Sequence, residues 1–69
     1  MTGFSELDVV TATHDLDGIS AGTRGVVLLP LGEDAYEVEF VDEKGGTLEV
    51  MPVEGRFLSS VDYFGAHAA

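Results

Sequence analysis

The chain is expected to be all-β, a small, partly open barrel of about five antiparallel strands. Three observations carry that expectation. Tyr36-Glu37-Val38-Glu39-Phe40 and Thr47-Leu48-Glu49-Val50-Met51 alternate apolar and polar residues with a period of two. The two stretches are separated by Asp42-Glu43-Lys44-Gly45-Gly46, a turn composition. An apolar run, Val26 to Leu31, precedes them and is opened by Gly22-Thr23-Arg24-Gly25. Period-two segments bounded by glycine are the mark of half-buried antiparallel strands.

Taken in order, Glu6 to Thr13 reads as the first strand, with β-branched Val9, Val10, Thr11 and Thr13. Asp15, Asp17, Gly18, Ser20 and Gly22 make the stretch from His14 to Gly22 a loop. Val26 to Leu31 is the second strand, and its unbroken apolar character predicts cover on both faces, either inside a barrel or against another subunit. Pro30 cannot donate to a ladder, so its end belongs at an edge or a bulge. Gly32-Glu33-Asp34-Ala35 forms a hairpin connection into the third strand, Tyr36 to Val41, with Tyr36, Val38 and Phe40 on one side. After the Gly45-Gly46 turn, Leu48 and Val50 are expected to continue the buried face. Glu49 then joins Glu37 and Glu39 on a solvated acidic face. Pro52 is expected to end this strand; a 3₁₀ turn around Glu54-Gly55-Arg56 and a short strand, Phe57 to Val61, follow.

These elements assign residues 4–62 to the barrel and 63–69 to a C-terminal tail. Five short strands, a long early loop and tight later hairpins describe an SH3-like barrel. An open four-stranded meander that pairs with a second copy is the alternative.

A chain of 69 residues holds one domain. At that length a lone core is marginal, because only about 60% of the unfolded surface is buried. Cysteine is absent, so neither a disulfide nor a cysteine-metal site reinforces the fold. Oligomerisation remains the expected reinforcement. Thirteen acidic residues against three basic ones give a net charge of −10. Nucleic acid and anionic membrane are therefore excluded as partners, since both are bound through Lys and Arg. The segment Met1 to Glu6 lacks a basic n-region, and no run approaches a membrane span. A cytoplasmic, bacterial-style protein is expected.

Motifs that carry chemistry were tested in turn. Aligning Gly18 with the invariant glycine of a calcium loop puts Thr13 first and Arg24 last, where a bidentate glutamate belongs. His14, Asp15 and Asp17 make a weak metal-binding alternative of low specificity, and turn chemistry accounts for the two aspartates. None of Ser5, Ser20, Ser59 and Ser60 lies in a nucleophile-elbow motif. The Gly22 to Val27 segment has neither the spacing nor the lysine of a phosphate loop. No catalytic residue, metal site or cofactor is expected, and the protein is read as a non-enzyme.

Apolar residues exceed what one inner barrel face needs, which points to an association surface. Val27, Leu29, Phe57, Tyr63 and Phe64 are the interface candidates. The expected function is a protein-interaction module, self-associating or docked on a protein partner. An acidic accessory or antitoxin-like protein that neutralises a basic partner is the rival reading.

The ordered segments Phe4-Ser5-Glu6-Leu7-Asp8-Val9-Val10, Gly22-Thr23-Arg24-Gly25-Val26-Val27 and Tyr36-Glu37-Val38-Glu39-Phe40-Val41-Asp42 resemble a family of short bacterial proteins. It is the family known as domain of unknown function 4926. The resemblance covers residues 4 to about 61 and implies a small SH3-like or KOW-like barrel. It brings no catalytic residue or ligand. The glycine turn at Gly22 to Val27 also resembles that of KOW motifs, whose RNA-binding members are basic, whereas this chain is acidic. A more distant likeness, to the SH3-like domain of nitrile hydratase subunits and their accessory proteins, implies a docking role.

Overall fold

The computed structural model describes residues 3–61. Five strands form a single antiparallel sheet: β1 (Val9–Ala12), β2 (Arg24–Pro30), β3 (Ala35–Val41), β4 (Thr47–Glu54) and β5 (Leu58–Ser60). A 3₁₀ turn, Gly55–Phe57, joins β4 to β5. The strand order is β4-β3-β2-β1-β5, so β4 and β5 are the two edges and the barrel is partly open. No α-helix occurs among the described residues.

The alternation in β3 sets the architecture. Tyr36, Val38 and Phe40 are buried, while Glu37, Glu39 and Val41 are half-buried on the opposite face. Around the inner row gather Val10 and Ala12 of β1, Val27 of β2, Val53 of β4 and Leu58 of β5. No charged or polar residue is buried among the described ones, so this core is held by apolar burial alone. Gly25 sits opposite Phe40 in the β2–β3 ladder and leaves space for its ring. The His14 to Gly22 loop is more ordered than its composition suggests. Leu16 and Ile19 exchange two backbone hydrogen bonds around Asp17-Gly18, and Gly18 takes the positive φ that the tight turn needs. The loop thereby delivers Ile19 into the core as a buried side chain.

Two bulges change the expected phase of the strands. In β2 the register shifts between Val27 and Leu29, so Leu28 is an extra residue and the continuous apolar run does not alternate simply. Within one chain the outer side of this run is not covered, since Leu29 is 43% exposed and Leu31 39%. In β4 the shift falls between the Phe40–Glu49 and Val41–Thr47 pairs, which makes Leu48 the extra residue. A one-residue slip sends every later side chain to the other face. Met51 and Val53 therefore face the core, while Leu48 and Val50, expected inside, are 50% and 43% exposed. Glu49 pairs with Phe40 on the inner side and does not join Glu37 and Glu39.

Pro52 does not end β4, which runs on to Glu54. The Gly55 N–H donates to the Asp34 carbonyl at 2.7 Å, so those residues form a hydrogen-bonded pair. Alternation along the ladder then places Glu37 and Pro52 in a non-hydrogen-bonded pair. The Pro52 nitrogen consequently faces the free edge, where proline is tolerated. At the other side of the sheet, β1 is shorter than expected. Leu7 donates to the Val27 carbonyl at 2.7 Å, and Val27 donates to Asp8 at 2.9 Å, so two residues oppose one. Leu7 occupies this bulge with φ 71°.

Candidate interaction surface

The outer face of the sheet can be read strand by strand from the register. Val50 of β4 lies opposite Glu39 of β3, Glu39 opposite Val26 of β2, and Val26 opposite Val9 of β1. The Val61 N–H continues this row by donating to the Val9 carbonyl at 3.0 Å. A parallel row runs Thr47, Val41, Arg24, Thr11 and Ser59. On the other side, Pro52 lies opposite Glu37 and Glu37 opposite Leu29. The result is a ribbed surface on which Val50, Val26, Leu29 and Pro52 flank the two carboxylates of β3. The Thr47 hydroxyl donates to the Glu39 carboxylate, which draws that group toward β4 and away from β2.

The interface candidates separate sharply. Val27 is 0% exposed and belongs to the core, so it is not available to a partner; its place in a continuous apolar run concealed which way it points. Val10 and Leu58 are core residues as well. Leu29 lies on the outer face and is exposed. Phe57 packs partly buried against the core, with the Arg56 guanidinium 4.7 Å above its ring and the His14 ring 5.2 Å away, edge-on. Tyr63 and Phe64 lie outside the described residues. Val9, Leu48 and Val50 are exposed apolar residues that the sequence reading did not select. The bulge at Leu48 is the reason for the last two.

A second feature is an open groove of about 850 Å³ between the 3₁₀ turn, β5 and the start of β3. Phe4, Tyr36, Asp34, Glu54, Arg56 and Ser59 line it. The Phe4 N–H donates to the Tyr36 hydroxyl at 3.1 Å and the two rings meet edge to face at 5.3 Å. Arg56 is engaged by Glu54 at 2.6 Å. Among the described residues the Ser59 hydroxyl reaches the neighbouring Ser60 carbonyl, at 3.5 Å. His14 bonds Thr13, and Asp15 accepts the Ala21 N–H at 2.8 Å, so the 14–17 loop does not converge on a shared point. Among the described residues no three His, Asp or Glu side chains are placed to hold a metal ion.

A family model matches residues 6–59, a span that takes in β1 to β4 and the first two residues of β5. The chain belongs to the family described as Domain of unknown function (DUF4926). The DUF4926 match thus coincides with the barrel itself. No curated protein and no solved structure matches the chain. Among the described residues of this DUF4926 domain, no helix is long and apolar enough to cross a membrane.

Proposed function

We propose that this chain is a non-enzymatic interaction module of the bacterial cytoplasm that self-associates through the outer face of its sheet. The observation that supports the reading is the apolar character of that face. Val9, Leu29 and Val50 are exposed on the outer face, on the side of the sheet away from the core cluster. Contiguous exposed apolar surface on a small protein serves association. The short chain gives a further reason, because burying this face adds to a core that is marginal in size. The net charge of −10 directs the module away from nucleic acid and anionic membrane.

Sedimentation velocity across a concentration series tests the reading. The expected result is a concentration-dependent shift above the 7.3 kDa monomer that Val50→Glu abolishes. A monomer at every concentration overturns it. A second reading, an acidic accessory that neutralises a basic protein, draws on the same charge and on Glu37 and Glu39 standing between aliphatic neighbours. One strongly basic protein that is recovered from native lysate and dissolves the self-associated form supports that alternative.

A further inference from the structure

Four outer-face residues of β2 and β3 form a square. Arg24 stands opposite Val41, and Val26 stands opposite Glu39. A cation and a carboxylate therefore occupy one diagonal, and two half-buried valines occupy the other. Neighbouring strands lie about 4.8 Å apart and alternate residues of a strand about 6.7 Å, so reflecting this patch across its valine diagonal returns each valine to itself and brings Arg24 to within about 3 Å of Glu39, a gap that two long side chains span. A two-fold axis lying between two facing sheets performs that operation. The square is thus self-complementary in the sense an isologous interface requires, where residue i meets j and j meets i.

We propose that a second copy of this chain docks face to face on this square, with Arg24 of each copy paired to Glu39 of the other and Val26 and Val41 on the two-fold axis. The inference rests on the self-association reading and specifies its geometry. Arg24 is exposed, and among the described residues the ion pair is Arg56 with Glu54, with no carboxylate paired to Arg24. Its diagonal neighbour Glu39 is drawn toward β4 by Thr47, which disfavours pairing inside one chain. Val9 adjoins Val26 in its row, and Val50 lies on the far side of Glu39.

Other occupants fit less well. A basic partner would satisfy Glu39 but set its cations against Arg24. Strand addition at the free edge of β4 is obstructed by Pro52, which presents no N–H there. Two copies meeting by their faces satisfy Arg24 and Glu39 together.

The test is a charge swap read by sedimentation equilibrium on the full chain. Arg24→Glu and Glu39→Arg are made singly and together, and thermal melts verify that each variant is folded. Each single reversal is expected to weaken dimerisation by about tenfold or more, and the double swap to restore it to within about threefold. A wild-type chain that stays monomeric overturns the self-association reading and this geometry with it. A dimer that is indifferent to the single reversals, or not restored by the double swap, overturns the geometry alone. Should a single variant fail to fold, the double swap compared with wild type and with Val26→Glu still decides: a weakened double swap counts against the pairing.

Discussion

Gly25 and Phe40 face each other across the β2–β3 ladder so closely that a Cβ on Gly25 would stand 2.9 Å from the Phe40 ring. It would also stand 2.8 Å from a methyl of Val38 and 3.1 Å from the Glu39 carbonyl. Gly25 is not at positive φ, so space rather than backbone freedom demands glycine here. Gly25→Ala is expected to cost about 1–3 kcal/mol, the usual range for overpacking a filled core. Urea denaturation measures it. An unchanged midpoint would show that the β2–β3 ladder opens freely and that the packing described is wrong.

Leu7 holds φ 71° and is 74% exposed, an unfavourable backbone for a branched residue that buries little in return. The left-handed region costs roughly 1–2 kcal/mol for a residue with a Cβ, and glycine escapes that cost while losing more chain entropy. Leu7→Gly should therefore be neutral or stabilising by up to about 1 kcal/mol. A melting temperature several degrees lower would mean that the Leu7 side chain makes a contact worth more than the strain.

Self-association brings together two bodies that each carry a charge of −10. Their repulsion is long-range and is screened as the Debye length shrinks from about 30 Å at 0.01 M salt to about 3 Å at 1 M. Apolar contact across the outer face is not weakened by salt in this way. The association constant should rise between 0.01 and about 0.5 M sodium chloride. A fall over that range, measured by sedimentation, would mean that attraction between unlike charges, such as the Arg24–Glu39 pairs, outweighs the net repulsion.

Pro52 leaves a gap in the row of donors on the free edge of β4, between Val50 and Glu54. Replacing it with valine supplies an N–H at that gap and a strong strand former besides. Pro52→Val is expected to keep or raise monomer stability while producing large, sheet-rich aggregates detectable by light scattering and thioflavin binding. A variant as soluble as the parent would show that another feature protects this edge.

Where local rules sufficed, the fold was legible. The alternation from Tyr36 to Phe40 reveals β3 and its buried face, and the Gly55–Phe57 turn and the strand after it lie within a residue or two of expectation. The interruptions were not legible. A bulge at Leu28 or Leu48 is decided by how two strands must twist to share one core, and neither residue has a composition that announces it. That hidden slip is why Val27 was assigned to the surface and Val50 to the interior. The loop from His14 to Gly22 was read from its turn formers, which hid the buried role of Ile19. The outer-face square was out of reach as well, because it depends on the register between strands rather than on any single stretch.

The Val61–Val9 hydrogen bond places the beginning and the end of the barrel side by side, since β1 and β5 are neighbours in the sheet. The polypeptide path is therefore nearly a loop. A short linker joining those points, with new ends cut at Lys44-Gly45, would rearrange the order in which the strands are synthesised without altering which ones touch. Such a permutant would begin with β4 and make its edge the first part of the nascent chain to emerge.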